Sequence, residues 1–218
     1  MPRILNNLIK ICEIFKSIQC ESTYAGRICS FVRLSGCNLE CSYCDTRYAF
    51  TESHDFSTEQ IVEIVKSHNS TLVEITGGEP LIQKETPVLC QIFLDNNFTV
   101  LVETNGSLPI DLLPAGCIRI IDVKCPGSGE AGSFQIENIA KLLPTDELKF
   151  VISDGNDFLW ALEFVNKYQL DHLSTVLFSP CMGKVDPSEL AAWILEKNAP
   201  VRLGLQLHKL IWGEKRGV

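Results

Sequence analysis

The chain contains no apolar run able to cross a bilayer: even its densest stretches, such as Val176–Phe178, fall far short of the ~20 residues a span needs. An export leader is not expected either. Arg3 and Lys10 surround a weakly apolar stretch, but Glu13 interrupts it and no small-residue cleavage site follows. Nor is there an excess of positive charge. With 19 Lys+Arg against 27 Asp+Glu the net charge is −8, which repels phosphate backbones, and the short basic stretch His208–Arg216 is too small to reverse this. These absences disfavour nucleic acid and membrane as partners, and the expected location is cytoplasmic. Internal repeats, heptads and Pro/Gly/Ser-rich linkers are absent as well, so a single domain over residues 1–218 is expected.

What is present is an ordinary globular composition, 45% hydrophobic and 21% charged, in a chain of 218 residues that can bury its own core. Strand and helix signals alternate along it. Strands are predicted at Arg27–Leu34, Thr71–Thr76, Phe98–Glu103, Cys117–Val123, Leu148–Ile152, Thr175–Phe178 and Val201–Leu207. Between them, Ser57 with Gln60 reads as a capping box and Asp186-Pro187 as a helix start, and Pro87–Asn97 and Phe158–Tyr168 have helical spacing. Apolar strands separated by helices predict a parallel sheet. A complete eight-unit barrel takes about 250 residues. The predicted fold class is therefore α/β, a partial (open) βα barrel of about six units, with a flat doubly wound sheet as the alternative.

Ten cysteines are the unusual number, and three crowd into Gly36-Cys37-Asn38-Leu39-Glu40-Cys41-Ser42-Tyr43-Cys44, a C-x3-C-x2-C spacing directly after a strand. Without an export signal, such bunching points to metal or catalysis rather than disulfides. Three thiolates can hold three irons of a [4Fe–4S] cluster and leave the fourth open to an amino acid's amine and carboxylate. A zinc site that recruits Cys20 or His54, or three buried cysteines without metal, remain as alternatives. Cys12, Cys29, Cys90 and Cys117 are expected to pack as apolar groups. Thr76-Gly77-Gly78-Glu79-Pro80 closes the next strand, where paired glycines allow close backbone approach to a charged ligand end, or simply make a turn.

The cysteine spacing, with Tyr43 before its last member and Gly-Gly-Glu-Pro one strand later, resembles the radical S-adenosylmethionine (SAM) enzymes. That resemblance implies a cluster on Cys37, Cys41 and Cys44, and SAM bound to its open iron and to Gly78 and Glu79. An electron from the cluster then cleaves SAM to methionine and a 5′-deoxyadenosyl radical that takes a substrate hydrogen.

Further segments extend the likeness along nearly the whole chain. They are Phe15–Ser22, Ala25-Gly26-Arg27, Phe31–Leu39, Cys44-Asp45-Thr46, Glu103–Gly106, Asp122–Gly129, Lys149-Phe150-Val151, Ser179-Pro180 and Gln206–Lys209. In this order they are similar to the 7-carboxy-7-deazaguanine synthase family. It makes 7-carboxy-7-deazaguanine from 6-carboxy-5,6,7,8-tetrahydropterin with loss of ammonia, in the queuosine pathway.

By resemblance, Thr46 offers its hydroxyl to Mg²⁺, and Ile18, Gln19, Cys20, Arg33, Thr76 and His208 meet the pterin. Lys124, Cys125 and Pro126, with Ser179, Pro180, Cys181 and Met182, hold the rest of SAM. A homodimer and an external flavodoxin- or ferredoxin-like electron donor are also implied. On pattern alone Arg33 reads equally as a paired strand arginine, Thr46 as a turn residue and His208 as a structural residue of a terminal strand. Cys20 and Ser22 stand where the family has glycines, which raises the question of backbone geometry there. A glycyl-radical-enzyme activase and a non-enzymatic metal-bearing interaction module are the competing functions.

Overall fold

The structure, a computed structural model, describes residues 8–218; Arg3, used above to judge the N-terminal stretch, lies outside them. Its strands are β1 (Ile9–Ile18), β2 (Ile28–Leu34), β3 (His54–Phe56), β4 (Leu72–Gly77), β5 (Thr99–Thr104), β6 (Ile118–Asp122), β7 (Glu147–Ile152), β8 (Thr175–Pro180) and β9 (Arg202–Leu203). The helices are α1 (Thr58–Ser67), α2 (Thr86–Asp95), α3 (Gly155–Tyr168), α4 (Pro187–Lys197) and α5 (Leu207–Trp212). All strands join one nine-stranded sheet in the order β3-β1-β2-β4-β5-β6-β7-β8-β9. From β2 to β9 in this order every neighbouring pair is parallel; β1 alone runs against the rest, and β3, antiparallel to β1, points with them. The sheet ends at β3 and β9, which do not pair, so it is open.

Side-chain alternation divides the sheet into two faces of different character. On one face Val32, Ile75, Val102, Ile121, Leu148, Phe150 and Phe178 lie in register across neighbouring strands and are buried. Against that face pack α1 and α2 through Ile61, Val65, Leu89 and Phe93, and α3 and α4 through Phe158, Ala161 and Leu190. Because these four helices cover the same face, the chain is a partial barrel and not a doubly wound sheet.

The opposite, concave face changes character along the strands. Its floor is apolar, formed by Cys29, Leu72, Leu101 and Ile120. Toward the strands' C-terminal ends it carries Arg33, Glu74, Thr76, Glu103, Asp122 and Lys149.

The helix starts follow their caps. Ser57 and Gln60 form the reciprocal capping box of α1, and Asp186 accepts from the Ser188 amide ahead of Pro187 in α4. Between β5 and β6 and between β6 and β7 only 3₁₀ turns occur. There Arg119, buried on the helix side of β6, pairs with Asp146 and donates to the carbonyls of Ile110 and Lys141, closing a flank that no α-helix covers.

One long strand is unpredicted and one expectation changes. Ile9–Ile18, for which the sequence predicts no element, is an antiparallel strand against β2, its core-facing Ile9 and Ile11 fully buried. The strand expected at Val201–Leu207 shrinks to Arg202–Leu203, and Leu207 instead opens α5. The cause is Gly204, whose amide donates to the Phe178 carbonyl at 2.8 Å and whose bare Cα lies against the Ser179 hydroxyl, so the chain turns off the sheet. His208 therefore sits in a helix's first turn, not in a strand. Among the described residues no helix is long and apolar enough to cross a membrane.

Candidate active site

The triple-cysteine loop leaves β2 at Gly36, whose φ of +90° suits glycine and whose amide donates to the Ala49 carbonyl at 2.8 Å, closing the loop on itself. Gly78 lies flat against its start. A Cβ at 78 would overlap the Gly36 carbonyl and come within 2.8 Å of the Cys37 Cβ. The following amide, of Glu79, donates to the Gly36 carbonyl at 2.9 Å. Further along, Ser42 donates through its amide and hydroxyl to the carbonyls of Ser128 and Gly127, and the Glu40 amide donates to Glu130 at 2.7 Å. Asn105 donates to Asn38 at 3.1 Å. The loops after β4, β5 and β6 thus all hold this one.

Cys37, Cys41 and Cys44 are free thiols on the wall of one cavity of about 500 Å³. Burial pushes the Cys37 and Cys41 thiols up; at Cys41 the Lys124 ammonium opposes it. The donor set suits an iron–sulfur cluster: three soft ligands of one loop on one cavity wall, with the Lys124 ammonium near the charge they would carry. Among the described residues no group of three or more His, Cys, Asp or Glu side chains is placed to hold a single metal ion. Of the fourth ligands considered for zinc, His54 is exposed on β3 away from the cavity, and the Cys20 thiol donates to the Ile18 carbonyl at 3.1 Å.

Below the cysteines lies a charged cluster. Lys149, buried on β7, pairs with Glu103, with Glu21 at 3.0 Å and with Asp122 at 3.4 Å; Lys124 pairs with the same Asp122 oxygen at 3.0 Å. Burial works against the Lys149 charge, yet the carboxylates of Glu103, Glu21 and Asp122 outweigh it and hold its pKa well above the ordinary lysine value. Burial likewise works against Glu103, but Lys149 keeps its carboxyl below the usual range. The other Asp122 oxygen and the Tyr43 hydroxyl are buried without a partner. In a wall otherwise satisfied, such orphans mark where a ligand's polar groups can dock.

Most residues singled out in the sequence meet at this cavity. Ile18, Gln19, Cys20, Arg33, Thr46, Thr76, Gly78, Lys124, Cys181, Met182 and His208 all line it. Arg33 donates to Glu13 at 2.8 Å, so it is both a paired strand arginine and part of the wall. Both ends of the Gln19 amide are engaged, by Glu74 at 3.1 Å and by the amides of Glu21 and Ser22. Cys20 and Ser22 adopt no positive φ; that geometry falls on Gly26, so replacing the family's glycines costs no backbone strain.

Five residues do not line the cavity. Glu79 is fully buried beneath it, its carboxylate accepting from the Leu81 amide, the Thr104 hydroxyl and the Asn105 amide at 2.7–2.9 Å. Cys125 packs into the core beside α3, and Pro126 leads into Gly127, whose amide donates to Asp157. Ser179 is buried against Gly204 at the end of β8, next to Pro180.

Pattern alone does not single out Glu21, Glu74, Glu103, Asp122 and Lys149. For the four on strands the available signal is a charge within an otherwise apolar parallel strand, which is out of place unless the strand faces a polar cavity; Glu21, in the loop after β1, carries no such signal. The segment Gly213–Val218 also lines the cavity, with Arg216 pairing to Glu13 and Glu52 and stacking on the Tyr48 ring at 3.6 Å.

An open parallel barrel with three cysteines beside a Gly-Gly-Glu-Pro turn defines a radical SAM enzyme, and residues 31–121 match the Radical SAM superfamily. The chain is 45% identical to the 7-carboxy-7-deazaguanine synthase of Koribacter versatilis over 96% of this chain and 100% of that protein. It is 39% identical to that of Chlorobaculum tepidum, over 96% and 97%. The chain belongs to the 7-carboxy-7-deazaguanine synthase family. Its fold is also that of QueE from Escherichia coli, with a TM-score of 0.76 over 91% of this chain and 94% of the other at 19% identity.

Proposed function

We propose that this protein converts 6-carboxy-5,6,7,8-tetrahydropterin to 7-carboxy-7-deazaguanine with loss of ammonia. What carries the reading is the near-full-length likeness to 7-carboxy-7-deazaguanine synthases in a chain whose cysteines and pterin-side residues face one cavity. Cys37, Cys41 and Cys44 are the cluster ligands, leaving one metal position for the SAM amine and carboxylate. When bound, cluster and SAM supply the electron and the hydrogen abstraction that start the reaction.

The protein's own part is placement. Gly78, Lys124, Cys181 and Met182 form the SAM side of the cavity, while Glu79, Cys125, Pro126, Ser179 and Pro180 shape it from beneath. Arg33 meets the substrate carboxylate, Thr46 offers its oxygen to Mg²⁺, and Thr76, His208 and the Ile18–Cys20 segment bound the ring. The Lys149 cluster is organised before substrate arrives, so little reorientation is needed on binding. A homodimer in the cytoplasm, served by an external flavodoxin- or ferredoxin-like donor, completes the proposal.

The test is anaerobic incubation of the reduced, cluster-loaded protein with SAM, Mg²⁺ and the tetrahydropterin. A deazaguanine product with 5′-deoxyadenosine is expected. If 5′-deoxyadenosine forms but no deazaguanine, the proposed substrate is wrong and a glycyl-radical activase becomes the better account.

A further inference from the structure

Glu74 sits on β4 with its carboxyl on the concave face, immediately above the apolar floor of Cys29, Leu72 and Leu101. It is 3% exposed, and one of its oxygens accepts from the Gln19 amide at 3.1 Å. Beside it on the same face, its register partner Phe31 on β2 stacks at 5.0 Å on Phe15 of β1, and both rings line the cavity, as does Ile18. A stacked aromatic pair next to a buried carboxyl gives one cavity wall an apolar seat and a polar group that can meet the edge of a planar ring.

The groups facing Glu74 come from each element around it. They are Cys20 and Glu21 after β1, Cys29 on β2, Glu103 on β5 and Lys149 on β7. Lys149 spends its charge on Glu103, Glu21 and Asp122, and none of its ion pairs reaches Glu74. Burial, and after it the Glu103 carboxylate, pushes the Glu74 carboxyl up to about 8. Near neutral pH it is a carboxylic acid, with one donor and one acceptor side by side. Because the Gln19 amide donates to one oxygen, that oxygen is held as the acceptor and the proton lies on the other; a lactam edge, N–H beside C=O, matches this fixed order, whereas an amidine edge in the same pose presents its reverse.

We propose that Glu74 is a specificity-determining residue whose carboxyl reads the lactam edge of the bound heterocycle through two complementary hydrogen bonds. The proposal rests on the tetrahydropterin reading above and adds to it the group that recognises the ring. Gln19, held by the turn amides of Glu21 and Ser22, is the positioning residue that fixes the Glu74 rotamer.

The test is anaerobic calorimetry on the cluster-loaded protein without reductant. The probes are 6-carboxy-5,6,7,8-tetrahydropterin and its 2,4-diamino counterpart, in which an amine replaces the ring carbonyl. Wild type should prefer the lactam by about tenfold at pH 7, the worth of one mismatched buried hydrogen bond. The preference should shrink at pH 9, where an ionised carboxylate repels the carbonyl and suits the diamine. Glu74→Leu should lose the preference, and Glu74→Gln, which keeps donor and acceptor, should restore it at both pH values. The ligand's own titration is common to all three proteins and cancels.

Wild-type preference in Glu74→Leu, or a wild-type pH profile in Glu74→Gln, would overturn the proposal. Turnover measured on the same preparation separates the two readings. A Glu74-dependent preference without turnover keeps this role and removes the reaction. Turnover without such a preference keeps the reaction and removes the role.

Discussion

Gly78 and Gly36 meet backbone to backbone, so that the turn closing β4 forms one wall of the bed on which the cysteine loop lies. Neither strand alone accounts for the contact, which depends on the parallel pairing of Leu34 with Gly77 and a residue without a side chain at 78. Substituting Gly78→Ala forces Cβ into the Gly36 carbonyl and Cys37. Overpacking of this kind costs about 1–3 kcal/mol, and here the adjustment displaces a proposed cluster ligand. The expected result is a folded protein with a substoichiometric cluster, read as iron content and visible absorbance per chain. Full iron loading would show that the two loops are not mechanically joined.

Cys41 is the most enclosed of the three loop cysteines, and the Lys124 ammonium acts on it. With one of three thiolates gone, a cluster has too few ligands to stay bound, so Cys41→Ala should lose absorbance, iron and SAM cleavage together. Circular dichroism should remain that of wild type, because the loop's hydrogen bonds run through Gly36, Glu40 and Ser42 rather than through this side chain. Retained SAM cleavage would rule out the cluster assignment.

Thr46 stands at the cavity wall, its hydroxyl 3.7 Å from the Cys44 sulfur. Replacing it with valine keeps the shape and removes the oxygen. Turnover of Thr46→Val should need at least tenfold more Mg²⁺ for half-maximal rate, about the loss of one oxygen ligand's ~1.4 kcal/mol. SAM affinity should hold. An equal loss in both would place Thr46 in a general structural role.

The sheet's uncovered flank gives a stability prediction independent of the chemistry. Asp146 is fully buried, pairs with Arg119 and accepts from the Leu143 amide at 2.7 Å. Asp146→Ala leaves the Arg119 guanidinium buried without its counter-charge, a loss of about 3–5 kcal/mol. A fall in the urea midpoint with an unchanged slope is the expected record. A change below about 1 kcal/mol would mean that the carbonyls of Ile110 and Lys141 satisfy Arg119 by themselves.

These residues also show what the sequence makes legible. Strand and helix starts announce themselves locally, as Ser57-x-x-Gln60 and Asp186-Pro187 do, and the cysteine loop carries its chemistry in its spacing. β1 is harder to see: its apolar positions alternate only partly because Phe15 and Ile18 face the cavity while Ile9 and Ile11 face the core. The terminal strand misleads for a different reason. Val201–Leu207 has strand composition, yet the edge of the sheet and Gly204 end it after two residues. The charged cluster is invisible locally, since Glu21, Glu103, Asp122 and Lys149 converge only once four segments distant in sequence are laid side by side. Thr76 and Gly78 were legible through their motif, while Glu74, two residues earlier on the same strand, belongs to no motif.

Glu74 sets a pH dependence of stability whose sign can be worked out. Its carboxyl titrates near 4.5 when the chain is unfolded and, through burial first and Glu103 second, at about 8 when folded. Between those values the folded protein binds a proton that the unfolded chain has released, so stability must fall as pH rises across this window. Above about 8 both forms are ionised and the slope vanishes; below 4.5 both are protonated and it vanishes again. Glu74→Gln cannot ionise and lacks this contribution. Urea midpoints of the two proteins, measured at pH 5, 6.5 and 8, should therefore diverge in the variant's favour as pH increases. Glu103 does not produce the divergence, because Lys149 holds its carboxyl below the usual range and it stays ionised across this window. Parallel stability curves would mean that Glu74 is already ionised in the folded protein, which would also remove the neutral donor that its proposed pairing with a lactam requires.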